Sequence, residues 1–273
     1  MADYDVQRGG VTLGVSDAGS GPPVVLAHGL TATRRYVVMG STALERGGHR
    51  VIAYDARGHG ASSPAESPAA YRYEDLGADL VAVLDHTGVQ RAVLAGASMG
   101  AHTLAWLALH RPERVAGLVF ITPAFAAGPD DVERLARWDA LSDGLRHGGI
   151  DGFLAAQGEP QVPERWRDTV TKVIRQRLSL HQHLDAVADA LRAVPRSRPF
   201  EAMSDLASIA VPTVVVASAD EADPEHPRSV GEAYARAIPS AQLVTDEPGR
   251  SPVAWQGSQL SGLIAQVVER AKL

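Results

Sequence analysis

The sequence predicts a doubly wound α/β fold: a mostly parallel sheet of about eight strands with helices on both faces. Three observations carry this. Short apolar runs bounded by turn residues alternate with longer helical patterns along most of the chain. The runs are nearly continuous in hydrophobic residues, as strands covered on both faces must be. The alternation lapses once, between about residues 124 and 209, where helical patterns occur without a convincing strand.

Taken in order, segments 4–8 and 11–16 read as an opening antiparallel hairpin. PPVVLAHG, HRVIAYD, RAVLAGAS, RVAGLVFIT, PTVVVASAD and AQLVTD then read as buried strands of the parallel part. Helices are expected over 34–47, 73–88, 99–110, 229–237 and 252–271, which supplies right-handed crossovers between strands. Within the lapse, helices are expected over 130–145 and 164–194. This insertion after the sixth strand, residues 124–209, is expected to form a helical lid. It would sit above the C-terminal edge of the sheet, where open α/β sheets bind ligands. Residues 1–123 and 210–273 would make the two parts of the core. Trp138 and Trp166 in the insertion are candidate substrate contacts for a partly apolar ligand. Packing of those rings onto the sheet is the alternative reading.

Composition removes several function classes. Hydrophobic residues make up 45% of the 273, enough to bury a large core. The formal charge is −6 with no long basic run, which argues against a nucleic-acid partner. No apolar stretch approaches the ~20 residues of a membrane span. The opening MADYDVQRGG is acidic and polar, without an apolar signal core, so a cytoplasmic protein is expected. Cysteine is absent, which excludes disulfides, cysteine nucleophiles and thiolate metal sites. No G-x-G-x-x-G opens the first crossover helix, and no histidine–carboxylate cluster has metal-site spacing, so neither cofactor nor metal is expected. The expected partner is a small molecule; a homodimer is compatible with this. Lysine occurs only at Lys172 and Lys272 beside abundant arginine and alanine, a bias that fits a GC-rich bacterial genome.

The strongest motif is GASMG, residues 96–100, between the strand RAVLA and the helix MGAHTLAWLALH. A G-x-S-x-G in strand–turn–helix context is a nucleophile elbow. Small residues are needed at both ends because strand and helix approach closely. Ser98 then stands at the tip, and the Met99 N–H at the helix N-terminus points to the same space. LAHGL, residues 26–30, ends an earlier strand, where the Leu30 N–H is a second candidate oxyanion donor. His28 in that motif is a candidate either for the pocket wall or for a local structural role. YDARGHGAS, residues 54–62, supplies Arg57 and His59 as loop-fixing residues.

With these motifs the chain resembles the α/β-hydrolase fold family, in particular its small-esterase, perhydrolase and epoxide-hydrolase-like branch. The resemblance covers essentially the whole length. It implies Ser98 as nucleophile, with the Met99 and Leu30 N–H groups as oxyanion hole. It also places the triad acid just after the strand PTVVVASAD, where Asp220 fits and Asp223 is the alternative. In the family a histidine follows the last strand in a setting like G-H-S-P.

Here PGRSPVAWQ supplies the neighbours, with Arg250 in the histidine's place, and no histidine follows His226. A guanidinium stays protonated, with a pKa above ~12, and cannot act as general base. Arg250 is expected either to pair with Asp220 or to bind an anionic ligand group. His226, close after the acid strand, is the alternative base, with His181 and His183 of the insertion behind it. Two functions follow. One is a hydrolase of an ester, lactone or related acyl compound through Ser98. The other is a non-hydrolytic enzyme or ligand-binding protein of the same fold, using the oxyanion hole and Arg250.

Overall fold

Successive residues of a strand face opposite ways, and the central strands use both faces. In the computed structural model, which describes residues 2–273 except Asp130, Asp220, Ala222 and Pro248, β1 is Ala2–Arg8 and β2 Val11–Ala18. They are followed by β3 (Pro23–Ala27), β4 (Arg50–Tyr54), β5 (Ala92–Ala97), β6 (Val115–Ile121), β7 (Thr213–Ala217) and β8 (Ala241–Thr245). Val25, Leu94, Phe120 and Val215 point into one core; Val24, Val93, Val119 and Val214 point into the other. Each such buried side chain is worth about 1.5–3 kcal/mol over leaving it exposed.

The helices supply the covering surfaces. α1 is a single turn, Ala43–Arg46; α2 spans Tyr73–His86 and α3 Met99–His110. The insertion holds α4 (Val132–Gln157), α5 (Glu164–Leu178) and α6 (Leu184–Ala193), and the chain closes with α7 (Arg228–Ala237) and α8 (Gly257–Ala271). Leu76, Leu80 and Leu84 of α2, with Leu104 of α3 and Tyr234 of α7, complete the first core. Leu260, Ile264 and Val267 of α8 complete the second.

The eight strands lie in the order β1-β2-β4-β3-β5-β6-β7-β8. β1–β2 and β2–β4 pair antiparallel and the remaining neighbours pair parallel; the hairpin and the mostly parallel sheet match the sequence expectation, while the antiparallel β2–β4 junction is added by the structure. From β3 the chain steps outward to β4, then returns to place β5 on the other side of β3. The C-terminal ends of β3 and β5 are therefore the switch point where such sheets open a crevice.

Three helix expectations are corrected. Residues 34–47 do not form one helix: a 3-10 turn, Arg34–Tyr36, is separated from α1 by Met39 at φ 48° and Gly40 at φ 73°. Burial of Val37 and Val38 overrides the helical period there. The helix expected over 164–194 is two, α5 and α6, broken at residues 179–183. The one expected over 130–145 runs on as α4 to Gln157, with a kink at Gly149, φ 60°. The insertion has its own apolar cluster, including Leu145, Phe153, Ile174, Leu178 and Val187, with Trp138 packed against it. Among the described residues, no helix is long and apolar enough to cross a membrane.

Candidate active site

The turn after β5 is as tight as G-x-S-x-G demands. A Cβ on Gly96 would lie 2.6 Å from the Gly100 carbonyl carbon, and one on Gly100 would lie 2.1 Å from the Ala27 oxygen. Neither position accepts a side chain, because both neighbours are backbone. Ser98 adopts φ 50° and ψ −114°, a region that L-residues rarely enter. It is anchored by its own backbone, the N–H donating to Ile121 O at 3.0 Å and the carbonyl accepting from His102 N at 3.0 Å. The side chain remains partly exposed, and Oγ has no hydrogen-bond partner among the described residues.

Met99 is the first residue of α3, so its N–H has no acceptor within the helix. Leu30 lies at the other wall: a Cβ on Gly29 would come 3.4 Å from Ser98 Cβ, which brings the loop after β3 against the elbow. The Leu30 side chain packs on both the sheet core and the insertion's cluster.

The loop after β7 contributes a hydrogen-bonded carboxylate and imidazole. His226 Nδ1 and Asp223 Oδ1 are 2.8 Å apart, and the His226 N–H also donates to Asp223 O at 3.1 Å. With its proton on Nδ1, facing the carboxylate, the ring keeps its Nε2 lone pair free for another proton. Burial disfavours the charged ring, but the charge and hydrogen bond of Asp223 outweigh it, and the His226 pKa is raised above 6.5. The His226 charge reaches His102, one helical turn beyond Ser98. Asp220, the acid implied by resemblance, lies outside the described residues.

Arg250 occupies the surface. Its side chain is 75% exposed, and Nε pairs with Glu247 Oε2 at 2.9 Å. That is the partner the structure gives it, three residues back in its own loop. The residue of this region that sequence reasoning missed is Asp246, buried directly after β8. It accepts from Ala219 N at 3.0 Å and from Val253 N at 2.5 Å, tying together the loops after β7 and β8. The only signal was an acidic residue closing the apolar run AQLVTD.

Four other histidines are buried and held neutral. His28, expected as a substrate contact, is instead committed to the scaffold. Its Nδ1–H donates to Gly29 O at 2.8 Å and its Nε2 accepts from Ala56 N at 2.9 Å, leaving no nitrogen for a ligand. His181 Nδ1 accepts from Gly60 N at 2.8 Å while Nε2–H donates to Thr31 O at 2.9 Å, latching the break between α5 and α6 onto the loops after β3 and β4. His59 lies between these rings, 5.2 Å from His28 and 5.4 Å from His181. His102 Nε2 accepts from both Ala124 N and Phe125 N, at 2.9 and 3.0 Å, and Nδ1–H meets Tyr73 Oη at 2.9 Å. Burial lowers the pKa of each, to about 3 for His102 and about 4 for His181. His28, His102 and His181 have both ring nitrogens bonded; His59 spends Nδ1 on Arg57 O at 2.9 Å and keeps Nε2 buried without a partner, while His183 is exposed.

Arg57 fixes its loop, as expected, through Nε and Nη2 to both Asp79 oxygens at 2.7 Å. Trp138 belongs to the insertion's cluster. Trp166 stacks edge-on to Trp255 at 5.6 Å, joining α5 to the segment that follows Arg250, and its Nε1 is buried without an acceptor.

The sequence profile of the alpha/beta hydrolase fold matches residues 22–257. The chain belongs to the α/β-hydrolase fold family. A protein of Variovorax paradoxus named as the carbamate hydrolase RutD is 33% identical over 208 residues, covering 74% of this chain and 75% of its own. Its namesake in Pseudomonas savastanoi is 29% identical over 252 residues, covering 90% and 95%. Among solved structures, a thermophilic esterase from Thermogutta terrifontis, with malate bound, superposes with a TM-score of 0.80 at 26% identity over all of both chains. A hydrolase from Pseudomonas aeruginosa gives 0.76 at 28% identity, over 97% of this chain and 98% of its own.

Proposed function

We propose that this α/β-hydrolase-fold protein hydrolyses an ester, lactone or related acyl small molecule through Ser98, with His226 as base and Asp223 as its orienting acid. The observation that carries the reading is the 2.8 Å Asp223–His226 contact in the loop after β7. It provides a proton acceptor from the loop next to the expected one, although position 250 is arginine.

In this mechanism His226 Nε2 takes the Ser98 hydroxyl proton as Oγ attacks the acyl carbon. Asp223 holds the ring by its Nδ1–H and favours the imidazolium that forms. The oxygen that becomes negative is received by the Met99 and Leu30 N–H groups, each such donor being worth about 3–4 kcal/mol in the transition state. The intermediate collapses with Nε2–H protonating the departing alkoxide. Water, deprotonated by the same nitrogen, then releases the acid and restores Ser98. The insertion, residues 124–209, acts as a lid over the C-terminal edge of an otherwise two-part core. Support comes from its His181 latch on Gly60 and Thr31.

Turnover of p-nitrophenyl butyrate tests this. Ser98→Ala and His226→Ala should each lower kcat by about 10³-fold or more, whereas Arg250→Ala should change it less than about threefold. Full turnover in His226→Ala would exclude the proposed base. The lack of any histidine after His226 favours a second reading, a ligand-binding protein of the same fold. Turnover equally absent in the unmodified chain and in Ser98→Ala, for this ester and for a half-ester that keeps a carboxylate, would favour that reading instead.

A further inference from the structure

Helix α5 carries four arginines, and one is unlike the others. Arg165, Arg167 and Arg175 pair with Glu221, Glu159 and Asp151 at 2.9, 2.5 and 2.7 Å, all at the surface. Arg177, in the last turn, has Nε buried with no acceptor, and no carboxylate among the described residues pairs with it. Asp223, whose charge reaches Arg177, directs Oδ1 to His226 instead. An Arg Nε–H closed off from water without an acceptor is unfavourable, and a protein retains one on a half-buried guanidinium where another group completes it.

The surroundings say where that group would lie. Tyr36, in the turn after β3, and Asp223, in the loop after β7, both act electrostatically on Arg177. Arg177 in turn disfavours protonation of His28, at the end of β3, and of His226, after β7. Only β5 and β6 separate β3 from β7 in the sheet, so those ends are about 14 Å apart at the usual ~4.8 Å strand spacing. Packing ties the end of α5 to this region: Leu178, the next residue, is buried in the cluster on which Leu30 also packs, and His181 bonds to Gly60 and Thr31, so the last turn of α5 lies beside the loop that runs against the Ser98 elbow.

We infer that Arg177 is a recognition residue for a carboxylate on the substrate, so that the molecule cleaved at Ser98 is an acyl compound bearing a second, anionic carboxylate. The planar guanidinium offers parallel N–H donors matched to the two oxygens of such a group. This rests on the hydrolase reading above. Ground-state binding of the carboxylate would place the acyl carbon against Ser98 Oγ, with the oxyanion donors on the far side.

Two esters of one chain length separate the charge from the chemistry: monomethyl glutarate, which keeps a carboxylate, and dimethyl glutarate, which does not. Hydrolysis is followed by pH-stat. The ratio of kcat/KM for half-ester over diester should fall by about 10- to 100-fold in Arg177→Gln, mostly through KM, and recover in part in Arg177→Lys. A ratio equal in the unmodified chain and Arg177→Gln overturns the inference.

Calorimetric binding of glutarate to Ser98→Ala, with dimethyl glutarate as the neutral control, reads recognition without turnover. Preference for the dianion supports the inference, and equal or weaker binding of it overturns it, whether or not Arg177→Gln folds. Absence of ester turnover together with Arg177-dependent glutarate binding would sink the hydrolase reading alone.

Discussion

Ser98 is held at φ 50° and ψ −114° by strand and helix that leave no room for Cβ atoms at Gly96 and Gly100. A non-glycine residue there stores about 1–3 kcal/mol. Ser98→Gly should therefore stabilise the chain by about 1 kcal/mol after the extra unfolded-state entropy of glycine, while abolishing ester turnover. A higher urea midpoint would show it; a lower one would mean that the hydroxyl contributes to the fold. His226 makes a second statement at this scale. It must be neutral to accept a proton, and Asp223 raises its pKa above 6.5. The acid limb of kcat/KM should accordingly fall off above the pH expected for a free histidine. In Asp223→Asn that limb should move to lower pH, with a lower plateau rate. An acid limb unmoved by the substitution would separate His226 from the reaction.

The element that ties the insertion to the core is the break between α5 and α6. Both nitrogens of His181 are used to cross to Gly60 and Thr31, and Gln182 N adds a bond to Gly60 O at 3.0 Å. His181→Ala leaves a buried N–H and carbonyl without partners and should cost about 2–4 kcal/mol. The loss should be local: hydrogen exchange should quicken in α5 and α6 before the sheet. His183→Ala, two residues on and exposed, should stay within about 0.5 kcal/mol. Equal effects of the two substitutions would show that the latch does not hold the insertion.

Across the whole molecule, His28, His59, His102 and His181 are buried with lowered pKa values, the last two to about 3 and about 4. On unfolding they return to about 6.5. Below that pH the unfolded chain binds protons that the fold refuses, so stability falls as pH drops from about 6.5 toward the folded values. Each group contributes up to about 1.4 kcal/mol per pH unit in that window. The raised pKa of His226 acts oppositely: its contribution is complete below about 6.5 and is lost as pH rises through its folded value. Four groups against one make acid the destabilising direction. Urea midpoints at about pH 7 and about pH 5 should differ clearly, and equal midpoints would require the buried rings to be charged in the fold.

Local chemistry made much of this protein legible without coordinates. The buried strands, the glycine spacing of the elbow and the Leu30 and Met99 positions follow from runs of adjacent residues, where sterics act over a few ångströms. That no histidine follows His226 was equally visible, because it is read directly from the residues. What lay beyond reach depends on partners distant in the chain. That Arg250 turns to Glu247, that Asp246 ties two loops, and that His28 is used up by Gly29 and Ala56 are outcomes of packing. Arg177 is the sharpest case. In sequence it is one of four arginines on a polar helix, and only the folded structure shows its Nε buried with no acceptor while the other three pair at the surface. Sequence determined which groups could do chemistry, since that is set by covalent structure and local backbone; tertiary structure decided which remain free to do it, since desolvation and hydrogen bonding are properties of the assembled fold.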